Sequence, residues 1–215
     1  MYALPGQTIE GALADIDTAI SFGPEHVSAY HLTLEPNTYF YRFPPKLPSD
    51  DLIAGIEQQA RAMFSFFGYE RYEVSAFAAA GEQSRHNLNY WLFGDYIGIG
   101  AGAHGKLSLQ TQVFRSQKPK HPQAYMDWVV QNKLPEQETL DQDRIVFEFL
   151  LNALRLHNGF SLEHFENHTG LSRDQLLPQL QIAVDQSLIE VGTSVKTTPR
   201  GYEMLDSLLQ MFLPT

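Results

Sequence analysis

Apolar residues recur every three or four positions near the start of the chain, and short continuous apolar runs follow them. Residues 8–22 carry apolar side chains on one helical face, which predicts an amphipathic helix capped by Thr8. Residues 26–34 predict a buried strand, residues 49–67 a second helix, and residues 69–77 another strand. This alternation of helix and strand predicts parallel βα units.

The pattern changes after Leu134. Three helices, a short hairpin and a closing helix are predicted over residues 141–156, 161–170, 172–187, 188–198 and 199–213. That order is typical of a winged-helix module. We therefore expect an α/β chain with a βα domain over residues 1–134 and a helical, winged-helix-like domain over residues 135–215.

The βα part is short for a complete barrel. A (β/α)8 barrel takes about 250 residues, whereas the alternating region here ends near Leu134. The opening residues, MYALPGQ, are typical of a strand end entering a βα loop. The sequence therefore predicts a partial (β/α) barrel that begins inside a domain. Its open strand edges favour self-association, with residues 1–4 on one such edge.

Composition narrows the chemistry. None of the 215 residues is cysteine, which excludes disulfides, thiolate metal sites and cysteine nucleophiles within this chain. The net charge of −10 disfavours nucleic acid and anionic membranes as main partners. No apolar run is long enough for a transmembrane segment, and these features together favour a cytoplasmic protein.

A winged helix suggests DNA binding, but the charge of this region argues against it. Residues 141–215 contain five basic and ten acidic side chains, a net charge of −5. Phosphate contacts dominate nucleic-acid affinity, so this surface would repel a duplex. The charge therefore predicts a packing or protein-docking module.

The densest glycine stretch, YIGIGAGAHGK, covers residues 96–106 and fits the G-x-G-x-x-G spacing of dinucleotide-binding loops. That reading needs a helix directly after the glycines. Residues 106–115 instead alternate apolar and polar side chains, which predicts a strand. Two alternatives remain: a bulged glycine-rich strand, or bare backbone over which a flat ligand passes.

The segment before the glycines, HNLNYW, places imidazole and amide groups beside aromatic rings, which suits a large flat ligand. The alternative is a surface aromatic cluster with satisfied histidines. Its candidate contacts are His86, Asn87, Tyr90 and Trp91, with His104 inside the glycine stretch. Glu35 follows the predicted strand 26–34, where barrel chemistry is usually found, but an ordinary loop glutamate explains it equally well.

Two further histidines, His164 and His168, lie four residues apart on a predicted helix, close enough to share a metal. No glutamate directly follows His164, so the H-E-x-x-H pattern of zinc proteases is missing. We therefore expect two solvated histidines on a surface helix.

Four motifs in order, YALPGQT, LTLEPNT, HNLNYW and GDYIGIGAGAHGK, resemble those of the oxygen-independent coproporphyrinogen III oxidases and their relatives in the radical SAM superfamily. The histidine-containing HNLNYW is most similar to the HemW branch, whose members are regarded as haem chaperones. The resemblance spans most of the chain and matches the C-terminal half of the family.

The resemblance implies a partial βα barrel, a 4Fe-4S cluster, S-adenosylmethionine and a C-terminal helical domain. The family's C-x-x-x-C-x-x-C cluster motif is missing, so this chain departs from the family at that point. By the same resemblance, Thr33, Gly100, Gly102 and His104 fall where relatives approach a second S-adenosylmethionine or the substrate. No catalytic residue is carried over, and the chain alone is expected to be inactive.

The function implied is that of a haem-binding chaperone, with haem or a porphyrinogen as ligand and a haem-accepting protein as partner. His86 is then the candidate metal ligand, and Asn87, Tyr90, Trp91 and Glu35 are candidate haem or substrate contacts. One alternative is the oxidase itself, which decarboxylates coproporphyrinogen propionates. Another, from a different class, is a protein-docking module.

Overall fold

The computed structural model describes residues 1–109 and 112–214. Contacts divide the chain into two compact units, Met1–Ser84 and Arg85–Thr215. Among the described residues, no helix combines the length and the apolar character needed to cross a membrane.

The first unit is a small mixed α/β unit. Its helices and strands, in chain order, are α1 (Ile9–Ser21), β1 (His26–Ser28), α2 (Tyr39–Arg42), α3 (Asp50–Phe66), β2 (Glu70–Glu73) and β3 (Ala76–Ala78). The predicted caps are confirmed, because the Thr8 and Ser49 hydroxyls accept from amides in the first turns of α1 and α3. Helices α1 and α3 pack together over a core in which the Phe64 and Phe77 rings stack at 4.1 Å.

Strand pairing in this unit differs from the expectation. The sheet has the order β1-β3-β2, and both pairings are antiparallel. Residues 69–77 fold back on themselves between Glu73 and Ala76, so β3 inserts between the two strands that were expected to be parallel neighbours. One parallel pairing remains, an isolated β-bridge between Tyr2, which precedes α1, and His31, which follows β1.

The second unit combines a three-stranded sheet with a helical region. Its helices are α4 (Arg85–Trp91), α5 (Pro122–Val130), α6 (Gln142–Ala153), α7 (Leu162–Thr169), α8 (Arg173–Asp185), α9 (Pro199–Glu203) and α10 (Leu205–Gln210). Its strands are β4 (His104–Leu109), β5 (Gln112–Gln117), β6 (Glu136–Thr139), β7 (Ile189–Val191) and β8 (Val195–Thr197).

The single strand expected over residues 106–115 is wrong. Strands β4 and β5 form an antiparallel hairpin in which Leu109 pairs with Gln112, and Gln110 and Thr111 lie outside the described residues. Period-two alternation runs through both arms of a hairpin, and residues 106–115 contain no glycine, proline or asparagine. The sequence pattern therefore hid it.

The domain boundary expected after Leu134 stays a prediction. It falls inside the second compact unit, where β5 pairs with β6 across it, Phe114 opposite Thr139.

The helical region follows its predicted order. Helices α6, α7 and α8 begin at the caps Asp141, Ser161 and Ser172, and β7 pairs with β8 as the expected hairpin. The closing helix is not continuous, because Met204 adopts φ −104° and ψ 26°, which separates α9 from α10. Phe149 of α6 lies at the centre of the core, with the Phe160 and Phe165 rings edge-on at 4.8 and 5.0 Å.

Candidate functional site

The HNLNYW motif forms helix α4 and ends in a sharp reversal. Phe93, two residues beyond the helix, has a φ of 56°, a left-handed conformation that bulky residues rarely adopt. Its side chain is buried against Phe149, with the two ring centroids 5.6 Å apart. Tertiary packing therefore holds a backbone conformation that the local sequence disfavours.

A buried lysine fixes the same reversal from the other side. Lys106 of β4 is 1% exposed, and its ammonium donates to the Phe93 carbonyl at 2.9 Å, to Oδ1 of Asp95 at 2.9 Å and to Oγ of Ser108 at 2.8 Å. The three N–H groups of the ammonium thus each have an acceptor. Burial lowers the pKa of Lys106, and the Asp95 carboxylate opposes that shift.

Asp95 completes this anchor. Its Oδ2 accepts the Ser108 amide at 2.8 Å, while Oδ1 accepts the Ser108 hydroxyl at 2.9 Å. Burial acts to raise the pKa of Asp95, but the hydrogen bonds from Ser108 and Lys106 outweigh it, and the pKa is lowered overall. Residues 93–95 are therefore attached to β4 through charged hydrogen bonds.

A chain of ring contacts leads from His86 into the sheet. The exposed His86 ring meets Tyr90 edge-on at 5.0 Å, and Tyr90 packs on Tyr96 at 4.7 Å. The Tyr96 hydroxyl accepts Nη1 of Arg115 at 2.7 Å, and Nε of Arg115 donates to Glu148 at 2.8 Å. The aromatic face beside His86 is thus braced by an ion pair that reaches helix α6.

Trp91 and Asn87 are half-buried in α4. The Arg155 guanidinium lies 4.3 Å from the centroid of the Trp91 ring, so one ring face is already covered. Nε1 of Trp91 is buried without a hydrogen-bond acceptor among the described residues. Less of Trp91 is therefore open to a flat ligand than its place in the motif suggests.

The turn formed within residues 96–106 itself explains why glycine is needed there. A Cβ on Gly98 would lie 2.1 Å from the His104 carbonyl oxygen, and Gly100 has a φ of 105°. Both positions therefore need glycine for the turn itself. Strand β4 follows the turn, so the helix required by a dinucleotide-binding loop is not formed there. Ile97 and Ile99 of the same turn are 76% and 86% exposed.

A cavity of about 760 Å³ opens between the β4-β5-β6 sheet and helix α6. It is lined by Tyr96, His104, Arg115, Ser116, Gln117, Glu136, Gln137, Glu138, Arg144, Phe147, Glu148, Leu151 and Pro214. His104 is on its wall, whereas His86 is not among the lining residues. The two lining guanidiniums are neutralised locally, because Arg115 pairs with Glu148 and Arg144 with Glu138.

The two candidates of the first unit lie in the stretch between β1 and α2. Thr33 and Glu35 are both exposed, and the Glu35 carbonyl accepts the Thr38 hydroxyl at 2.6 Å. Within the second unit, the structure brings His86 against Tyr90 and puts His104 in the cavity beside Tyr96.

The expectation of two solvated histidines is wrong for His164. This ring is half-buried, and its Nε2 donates to the Leu92 carbonyl at 2.8 Å, directly after α4. Burial lowers the pKa of His164. Nδ1 of His168 donates to the His164 carbonyl, and the two rings stack at 3.8 Å. Among residues 1–109 and 112–214, no cluster of three or more histidine, aspartate or glutamate side chains could hold a metal ion.

Sequence reasoning missed both Lys106 and the His164–Leu92 contact. Lys106 sits in an alternating strand like any solvated lysine, and His164 meets a backbone carbonyl 72 positions away. No local signal in the sequence marks either contact.

Comparisons with known proteins place these features in context. The model of the HemN C-terminal domain family matches residues 140–203. A protein of Haemophilus influenzae named heme chaperone HemW is 43% identical over 99% of this chain and 55% of its own length. Its namesake in Escherichia coli is 42% identical over 99% of this chain and 56% of its own length. The chain thus spans about half the length of the curated relatives it matches.

A solved structure shows the same fold. Coproporphyrinogen III oxidase (HemN) from Escherichia coli, described as a radical SAM enzyme, aligns with a TM-score of 0.72 over 98% of this chain and 53% of the oxidase chain. At 17% identity this likeness concerns the fold alone.

Proposed function

We propose that this chain, a HemW-like member of the radical SAM family that includes coproporphyrinogen III oxidase, forms the haem-holding part of a haem chaperone, with His86 as the iron ligand. One observation carries the proposal. His86 presents an exposed imidazole beside an aromatic face, and that face is braced through Tyr96 and Arg115.

The chemistry of His86 fits haem. Imidazole is a common axial ligand of haem iron, and the surrounding polarity decides what the iron does. The exposed ring leaves an approach for iron, and Tyr90 offers an apolar surface that a macrocycle could contact. Asn87, in the same helix, is proposed to orient the imidazole or to meet a propionate, and Glu35 remains a candidate contact.

The cofactors implied by the family fit this chain unequally. A 4Fe-4S cluster is usually held by thiolates, and the chain has no cysteine, so its own residues do not fit the cluster. S-adenosylmethionine fits better: a Cβ on Gly100 would meet nothing within 4 Å, so the surface over this backbone is open. Gly100, Gly102 and His104 of the second unit are the residues proposed to contact it, and Thr33 stays a candidate on the resemblance alone.

Haem titration of the purified chain tests the assignment of His86. His86→Ala should weaken haem binding and shift the Soret band, while His104→Ala should change both less. His121→Ala is a matched control, because His121 is exposed and its side chain makes no capping hydrogen bond to α5. An unchanged spectrum and affinity in folded His86→Ala would refute the assignment. An effect of His104→Ala alone would move the ligand to the cavity.

The oxidase is the second candidate, supported by the fold it shares with coproporphyrinogen III oxidase. An oxidase needs cations for four propionates, yet Arg115 and Arg144 of the cavity are each paired with a glutamate. This favours the chaperone. Formation of protoporphyrinogen from coproporphyrinogen III by the complete protein would reverse that preference.

The helical region is proposed to be a winged-helix-like module that docks a haem-accepting protein. Support comes from the order of α6, α7, α8 and the β7-β8 hairpin, and from an isolated antiparallel bridge between Phe160 and Val195 of β8. Its net charge of −5 favours a protein partner over a nucleic acid.

A further inference from the structure

Helix α2 and the residue that follows it carry four exposed aromatic side chains. Tyr39, Phe40, Tyr41 and Phe43, here called the aromatic cluster, are 73%, 43%, 58% and 54% exposed. None of the four residues of α2 is buried, although all are described. Single exposed apolar residues are ordinary, but a contiguous exposed patch usually marks a binding surface.

The cluster is held in shape before any ligand arrives. The Thr38 hydroxyl accepts the Tyr41 amide at 3.2 Å, and the Phe43 amide donates to the Tyr39 carbonyl at 2.8 Å. The Tyr39 ring then lies 5.1 Å from Phe43 and 6.5 Å from Phe40. Rings that are already positioned lose less conformational entropy when a flat partner stacks on them.

Two cations lie within the stretch that carries the cluster. Residues 36–49 contain Arg42 and Lys46 and no acidic side chain, while Glu35, Asp50 and Asp51 flank this stretch. The Arg42 guanidinium lies 5.4 Å from the centroid of the Phe43 ring. Among the described residues, no carboxylate forms an ion pair with Arg42 or Lys46. A ligand matched to this surface is flat, apolar over most of its area and anionic at its edge.

We propose that the aromatic cluster stacks a tetrapyrrole, and that Arg42 and Lys46 pair with its propionates. The choice of ligand rests on the proposed haem function, but the contact does not use His86 or iron. Two cations beside four aromatic rings suit one macrocycle with two carboxylates. They are too few for a nucleic acid, which gains its affinity from many phosphate contacts.

The test uses metal-free protoporphyrin IX, because no histidine can ligate a porphyrin that lacks iron. Titration of the purified chain should show binding, and the double variant Tyr39→Ala, Phe43→Ala should bind about tenfold more weakly, an effect of the size expected for two lost ring contacts. Phe66→Ala, Phe67→Ala is the matched control, since these two rings are also exposed and their centroids lie 5.2 Å apart, but they are not part of the aromatic cluster. Circular dichroism melting confirms that each variant is folded.

A second experiment tests the propionate contacts. Arg42→Gln, Lys46→Gln should weaken binding of protoporphyrin IX several-fold but leave binding of its dimethyl ester unchanged, because the ester has no carboxylates. Equal losses for acid and ester would overturn the ion pairing. Unchanged porphyrin affinity in the aromatic double variant would overturn the site. So would a cluster-dependent binding to anionic phospholipid vesicles without porphyrin binding, which would assign the surface to lipid.

The two proposals fail separately. If His86→Ala leaves haem binding intact while the cluster variants lose protoporphyrin IX, the iron-ligand assignment is wrong and the cluster stands. If His86→Ala abolishes the haem spectrum while the cluster variants bind protoporphyrin IX normally, the cluster is wrong and His86 stands.

Discussion

The ammonium of Lys106 donates to the carbonyl of Phe93 at 2.9 Å and lies 4.0 Å from the centroid of the Phe93 ring. A single side chain thus contacts both the strained backbone and the buried ring of the residue that reverses the chain after α4. The orientation of the HNLNYW helix therefore depends on a lysine in β4.

Lys106→Met should be strongly destabilising. The substitution leaves the Phe93 carbonyl without the ammonium that donates to it and the Asp95 carboxylate without its cationic partner, at a cost of roughly 3 kcal/mol in the free energy of unfolding. Urea denaturation followed by circular dichroism measures this. Lys133→Met, at an exposed position, is the control and should change little. A loss below about 0.5 kcal/mol, the usual effect of a surface substitution, would contradict the role given to Lys106.

The anchor also predicts a pH dependence. Because the pKa of Asp95 is lowered from 3.8 in the folded chain, the unfolded chain binds more protons in acid. The stability contributed by Asp95 is therefore present above about pH 4 and is lost as the pH falls through its folded pKa. Asp95→Asn should be less stable at pH 7 and should lose less stability on acidification. If denaturation curves show that both proteins lose the same free energy of unfolding on acidification, Asp95 does not titrate in this way.

Titration of Lys106 predicts a second pH dependence of stability, in the alkaline range. Its folded pKa is lowered from 10.5 by burial, so the folded chain binds fewer protons than the unfolded chain as the pH approaches that value. The titration of Lys106, taken alone, makes the free energy of unfolding rise with pH between the folded pKa and 10.5. The Lys106→Met variant should lack that alkaline rise.

Gly98→Ala tests the account of the glycine turn. The new Cβ would lie 2.1 Å from the His104 carbonyl oxygen, so the backbone must move, at a cost of roughly 2 kcal/mol. Gly192→Ala is the matched control, because a Cβ there meets nothing within 4 Å. Thermal melting compares the two. A Gly98→Ala protein that melts with the parent would leave the need for glycine unexplained by the turn.

Self-association is expected from the edge strands of the first sheet. In the order β1-β3-β2 the two outer strands each have one partner among the described residues, and unpaired edges template pairing with another chain. Light scattering should show a mass that rises with protein concentration. A constant monomer mass over a wide concentration range would rule this out.

Duplex DNA should not bind the helical region specifically. Five basic against ten acidic side chains from Asp141 onward leave a surface that repels phosphates. A mobility-shift assay with a labelled duplex checks this. Salt-dependent binding at sub-micromolar concentration would contradict it.

Local features of this fold could be read from the sequence, and long-range features could not. Thr8, Ser49 and Ser161 cap helices as predicted, because a cap is decided within a few residues. The pairing of β3 between β1 and β2 depends on a fold-back that alternation does not encode.

The candidate site likewise has local contacts that the sequence predicts and long-range contacts that it does not. The proximity of His86 and Tyr90 follows from their i,i+4 spacing on α4, which the motif itself sets. The bracing of Tyr96 by Arg115 joins residues 19 positions apart and could only be found in the folded chain.

Arg115 has one further consequence. Its guanidinium is shared between the Tyr96 hydroxyl and the Glu148 carboxylate of α6, which belongs to the stretch matched by the HemN C-terminal domain family. Loss of the Glu148 carboxylate would free Arg115 and loosen its hold on Tyr96, the ring on which Tyr90 packs beside His86. Tyr90, Tyr96 and Arg115 thus connect the imidazole of His86 to Glu148 of α6 through ring contacts and hydrogen bonds.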